Sequence, residues 1–258
     1  MTRFFTPLAY VDKTAMRILI SAQVTVSVLI WLSSPSPLLP TPMEVWSSLG
    51  ELWYQGIAGD LITSFMLNVE AIFVATIISL ILSYSTVMPF FRPIVQFIGK
   101  LRFLSIVGLV FLFELMATSG HELKLSLLVF SIVVFFVVAM ESVMKTIPKE
   151  QYDLARVLHM GPWRVTWEVV ILGQFDKVFD VIEQNAAMSW MMLTMVESVS
   201  RQEGGIGATL TDQNKHFRLA AVFGIQIIIL IAGILQDIGI QGAKRFFCNY
   251  AFLGLEPQ

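Results

Sequence analysis

The stretch Lys124-Leu-Ser-Leu-Leu-Val-Phe-Ser-Ile-Val-Val-Phe-Phe-Val-Val-Ala-Met-Glu-Ser-Val-Met144 contains two ionisable residues, one at its start and one near its end. Wound as an α-helix at about 1.5 Å per residue it covers roughly 30 Å, the thickness of the hydrocarbon core of a bilayer. Five further stretches are long and predominantly apolar, 17–34, 60–87, 101–118, 176–198 and 218–241, the fourth of these being the weakest. Of the 258 residues, 56% are hydrophobic and 14% charged, where a soluble domain carries about 25% charged residues. Most of the surface must therefore face something other than water. No polar, domain-sized stretch separates the apolar runs, so the expected fold is all-α: one polytopic membrane domain over 1–258 with six transmembrane helices.

Several chemistries are excluded at once. Cys248 is alone, and His121, His159 and His216 are far apart with no ligand spacing, so neither a disulfide nor a metal site is expected. There is no glycine-rich phosphate loop, so the chain is expected to bind no cofactor, to carry no catalytic residues and not to hydrolyse ATP itself. A net charge of −2 without a basic cluster argues against nucleic acid. Arg3, Lys13 and Arg17 precede an apolar run from Ile18 to Leu32 that lacks a small-x-small cleavage site. The first span is therefore read as uncleaved.

Lysine and arginine set the orientation. Thirteen of the 17 flank one side of the six spans, and Lys124, Arg201, Lys215 and Arg218 fall on the other. By the positive-inside rule both termini and residues 145–175 are cytoplasmic, and 35–58, 119–123 and 199–217 are outside. Residues 35–56 read as a proline-rich linker followed by an amphipathic interfacial helix, with Val45, Leu49 and Leu52 or Trp53 at helical spacing and Trp46 and Trp53 suited to a membrane interface. From Gln202 to Asp212, Gly204, Gly205 and Gly207 permit a tight backbone turn.

The long cytoplasmic loop carries its own punctuation. Pro148 stands where a first helical residue would be, with Glu150 in the opening turn. Gly161 is placed to end that helix in a left-handed conformation, and Pro162 to start the next. Two short helices meeting at a glycine corner are expected.

This loop resembles the cytoplasmic signature of ABC importer permeases: E-A-A, three or four residues, glycine, about nine residues, then I-x-L-P. Asp153-Leu154-Ala155 stands for the E-A-A, Gly161 for the glycine and Ile171-Leu172-Gly173 for the end, with aspartate replacing the glutamate and Gly173 the proline. Leu38-Leu39-Pro40-Thr41-Pro42, and Glu197 followed by Gly204-Gly205-Ile206-Gly207, are similar to segments of the nitrate/sulfonate/taurine branch. The resemblance implies a permease subunit of the cell inner membrane, with the loop 145–175 coupling it to a separate ATPase. Tyr152, Asp153, Ala155, Leu158 and Gly161 are the residues it implies in that contact. Its implied partners are two ATPase copies that use ATP, a second permease copy, an extracytoplasmic solute-binding protein and the lipid bilayer. The implied substrate is a small polar solute, nitrate-, sulfonate- or taurine-like, or a small organic nutrient.

The fifth span is unusually polar, with Asp176, Asp180, Glu183, Gln184, Asn185, Ser189 and Thr194 inside it. Ionisable residues at membrane depth point to function. Glu183, Gln184 and Thr194 are candidates for a substrate pathway; the competing explanation is interfacial pairing of Lys177 with Asp180 and simple helix packing. An acidic stripe sits awkwardly with a purely anionic substrate. A second functional reading, an ATPase-independent carrier or channel using this span, lacks the internal repeat of spans that such folds often show.

Overall fold

The computed structural model describes residues 13–33, 39–200 and 203–248, and every regular element among them is helical. The termini, the linker residues 35–38 with Pro35 and Pro37, and Arg201 and Gln202 lie outside the described residues.

Helix α1 (Lys13–Ser33) is apolar, and none of its spanning window is buried in the chain. The Trp31 indole donates to the Pro40 carbonyl at 3.0 Å. Helix α2 (Pro42–Tyr54) is the expected interfacial helix. Thr41 closes a capping box in which its Oγ1 accepts from the Glu44 N–H at 3.4 Å and its own N–H donates to Glu44 Oε2 at 2.9 Å. Val45 and Leu52 turn inward while Trp46 and Trp53 stay exposed.

The core is built from α3 (Ile57–Ser85), α6 (Gly120–Lys145), α9 (Phe175–Val199) and α11 (Leu219–Phe247). Helix α3 presents Ser64, Asn68, Ala71, Ala75, Ser79 and Ser83, three or four residues apart and all buried. Small side chains let backbones approach, which is how helices associate where no hydrophobic effect drives them together. Leu67, Ala71, Ala75, Leu128, Ile132, Trp190 and Leu193 join these helices in one cluster. A second cluster, Leu52, Ile57, Ile206, Ala221 and Ile225, locks α2 against α11. Gly224 matters there, because a Cβ on it would stand 3.0 Å from Leu49 Cδ2.

Two expectations needed correction. Residues 101–118 do not form a straight third span. Helix α4 (Arg92–Lys100) runs into a 3-10 turn, Leu101–Phe103, and the chain then bends by 110° into α5 (Ile106–Glu114). Nine residues make only about 13 Å of helix. The break is local: Leu104 and Ser105 are extended, so α5 starts on a new axis.

Secondly, α6 begins four residues early, because Ser119 caps it by accepting from the Glu122 N–H at 3.2 Å. Residues 120–123 therefore belong to a helix and not to an outer loop. The glycine stretch makes the expected turn, with Gly204 at φ 67° and Gly205 at φ 109°, and leads into a further helix, α10 (Ile206–Lys215). The six expected spans thus resolve into four helices long and apolar enough to cross a membrane (α1, α3, α6 and α11), one bent pair, and α9. Helix α9 is 25 residues long, but its polar side chains dilute its hydropathy.

Candidate functional site

Two regions concentrate polar or exposed groups that packing alone does not explain: the loop after α6, and the polar helix α9 with its neighbours.

In the loop, Pro148 is the residue before α7 (Lys149–Val157), one position earlier than expected. Helix α7 ends in a Schellman motif: the Met160 N–H donates to the Ala155 carbonyl at 3.0 Å and the His159 N–H to the Arg156 carbonyl at 2.9 Å. The left-handed residue is His159, at φ 53°. Gly161 is extended, at φ −65° and ψ 156°, as a residue preceding proline is biased to be. A Cβ on Gly161 would meet nothing within 4 Å. The glycine corner of the sequence reading is therefore a histidine corner, and the second helix shrinks to α8 (Pro162–Val165), which opens into a wide π-helical turn, Thr166–Ile171.

Since a left-handed non-glycine residue costs about 1 kcal/mol, His159→Gly should stabilise the end of α7. Slower amide hydrogen exchange over 156–160 is the expected readout; unchanged or faster exchange there would show that the imidazole makes up the cost.

The candidate coupling residues separate by environment. Ala155 is 2% exposed, so it seats α7 on its own chain and offers no surface to a partner. Tyr152 is half-buried and lines a cleft of about 350 Å³ with Arg92, Glu141, Lys145 and Val170; burial pushes its phenol above the ordinary range. Asp153 is exposed and pairs with Arg156 at 3.2 Å. Leu158 is 58% exposed, and Leu154, Val157, Trp163 and Trp167 are exposed beside it in sequence.

Helix α9 separates two clefts. Gln184 faces one of about 550 Å³ against α6, with Asp176, Lys177, Asp180 and Asn185. Glu183 faces the other, about 380 Å³, against α11. The expected pairing of Lys177 with Asp180 is replaced by one between Lys244 of α11 and Asp180. Thr194 lines neither cleft; its hydroxyl donates to the Met191 carbonyl at 2.9 Å. The three pathway candidates are thus not brought together.

At the far end of α9 lies a buried network. Glu197 is fully buried; its Oε1 accepts from Ser64 Oγ at 2.6 Å and its Oε2 from the Gly207 N–H at 2.8 Å. Ser64 Oγ accepts in turn from the Ile206 N–H at 2.9 Å. Lys124, also buried, donates to the Gly204 carbonyl at 2.7 Å. The glycines are steric necessities: a Cβ on Gly205 would fall 2.3 Å from Glu197 Oε1, and one on Gly207 would fall 2.5 Å from the Thr194 carbonyl.

Sequence reasoning picked out Glu197 and its glycines but missed Ser64 and Lys124, whose partners lie far off in sequence. It also passed over Gln236, Asp237 and Gln241 in the sixth span. The signal applied to the fifth span, polar residues within an apolar run, would have found them.

No family model matches the sequence, and no curated protein matches it. Among solved structures, a chain from the crystal structure of an amino acid ABC transporter with histidines superimposes with a TM-score of 0.58 at 16% sequence identity, over 77% of this chain and 96% of that one. The protein thus shares its membrane-helix fold with a chain of an amino acid ABC transporter.

Proposed function

We propose that the protein is the permease subunit of an ATP-driven importer in the cell inner membrane, coupled through α7 to a separate ATPase. The observation that carries this reading is the ridge of exposed apolar side chains, Leu154, Val157, Leu158 and Trp163. It lies on the loop that the lysine and arginine distribution assigns to the cytoplasm. A contiguous apolar patch in water marks a protein contact, and Ala155 underneath holds the helix that displays it. The fold likeness to a chain of an ABC transporter supports the same conclusion.

In this reading two ATPase copies consume the ATP and the chain itself holds no cofactor. A second copy of the permease completes the pathway, and a solute-binding protein delivers a small polar solute from outside. The apolar ridge seats in the ATPase, and movement of that seat reaches α9 through the π-helical turn, which joins the loop to the polar helix. The signature spacing from Asp153 to Gly161 to Ile171 supports the importer-permease reading, and Leu38-Leu39-Pro40-Thr41-Pro42 with the turn after Glu197 resembles segments of the nitrate/sulfonate/taurine branch.

Topology tests the reading first. A cysteine placed at position 158 should resist an impermeant thiol reagent in intact cells and react after lysis; labelling from outside would overturn the cytoplasmic assignment and the coupling role with it.

A further inference from the structure

The groove between α9 and α11 is lined by Glu183, Trp190, Gln226, Gln236 and Asp237, above small residues that include Ala187 and Gly233. Gln241, one turn beyond Asp237, donates from Nε2 to Glu183 Oε1 at 3.1 Å and to Asp237 Oδ2 at 3.1 Å. One amide therefore ties two carboxylates together. Among the described residues no lysine, arginine or histidine lines the groove, and Lys244, two turns further along α11, pairs with Asp180. Glu183 lies about 12 Å along α9 from Phe175, and Asp237 about 15 Å from the far end of α11 at Phe247. Both lie inside the stretches 176–198 and 218–241 expected to span the bilayer. Carboxylates so placed need a cationic partner.

A second, independent feature points into the same groove. Gln236 is 8% exposed, and its Oε1 accepts from Asn68 Nδ2 at 3.0 Å and from Trp190 Nε1 at 2.8 Å. Two donors at one atom identify it as the amide oxygen. The Nε2 end is then the one left to the groove, where it meets no acceptor among the described residues. A donor turned into the groove is one that a ligand oxygen can satisfy.

We propose that this groove binds a small organic cation, a protonated amine whose N–H groups are shared by Glu183 and Asp237 while Gln236 Nε2 donates to an oxygen of the same solute. The inference rests on the permease reading and narrows its substrate. The chemistry of the lining selects against other occupants. A metal ion would need several oxygen ligands, yet Gln241 and Gln236 turn N–H groups toward the site. A simple anion would meet two carboxylates. A proton alone needs no volume and leaves Gln236 unmatched.

The test uses the full-length permease in lipid nanodiscs, titrated calorimetrically with ethanolamine, ethylammonium and ethanesulfonate. Ethanolamine should bind at millimolar concentration or below, and ethylammonium, which lacks the oxygen, more weakly. Ethanesulfonate should give no binding heat. Glu183→Gln and Asp237→Asn should each weaken ethanolamine binding by about tenfold or more, with unfolding temperatures near that of the wild type. Equal binding of ethanesulfonate, variants that bind like the wild type, or no amine binding up to tens of millimolar would overturn the site. Retention of the ATPase by the same preparations, read by pull-down, separates the two ideas. Lost amine binding with the ATPase retained sinks the site alone, whereas a wild type that binds the amine but holds no ATPase sinks the permease reading.

Discussion

Glu197→Ala should leave almost no folded protein in the membrane. The carboxylate is fully enclosed and takes hydrogen bonds from Ser64 Oγ and the Gly207 N–H, so it joins α3, α9 and the start of α10 at one point. Alanine strands those donors where neither water nor another acceptor reaches them, at about 1–3 kcal/mol each, and leaves a cavity in addition. A loss of about 3–5 kcal/mol is a large share of the roughly 5–15 kcal/mol that holds a domain together. Gly207→Ala should fail comparably, because its Cβ would press on the backbone carbonyl of Thr194, which cannot swing aside as a side chain could. Size-exclusion profiles of detergent-solubilised protein read both. A monodisperse Glu197→Ala variant unfolding at the wild-type temperature would show that the network is dispensable.

The second large effect is on coupling. Leu158→Asp and Leu154→Asp should insert and fold normally, since both side chains are exposed, yet lose the ATPase in pull-down and reduce transport by about a hundredfold. Burying an unpaired carboxylate in an apolar contact costs about 2–4 kcal/mol or more, and each 1.4 kcal/mol is a factor of about ten in affinity. Gly161→Val is the informative companion. Space beside Gly161 is open within the chain, so lost coupling there would report steric contact with the partner and not a redirected helix. Wild-type transport and ATPase retention in both leucine variants would remove the coupling role from α7.

The elements that were legible in the sequence are those fixed by local chemistry. Long apolar runs produced α3, α6 and α11, and the helical spacing of Val45, Leu49 and Leu52 announced α2. The third span was read as one straight run because the hydropathy of 101–118 carries no signal for the break at Leu104 and Ser105. The corner of the loop was misplaced for a different reason. Glycine is the usual left-handed residue, but Pro162 biases its predecessor toward the extended region, and the reversal moved two residues back to His159. What no local pattern could show is partnership across the chain. Ser64 with Glu197, Lys124 with Gly204, and Asn68 with Gln236 are separated by 133, 80 and 168 residues. Packing of the small-residue stripe of α3 brings the first and third of these together, and the turn before α10 laid against α6 makes the second.

Helix α1 gives the molecule a modular seam. It crosses the space of a membrane without burying its window against the rest of the chain, so its surroundings are lipid or another subunit. None of the buried clusters among the described residues includes an α1 side chain. Among the described elements it is the place where the chain tolerates exchange best: one apolar helix replaced by another should change how the subunit is inserted and whom it neighbours, and leave the α3–α6–α9–α11 assembly as it is.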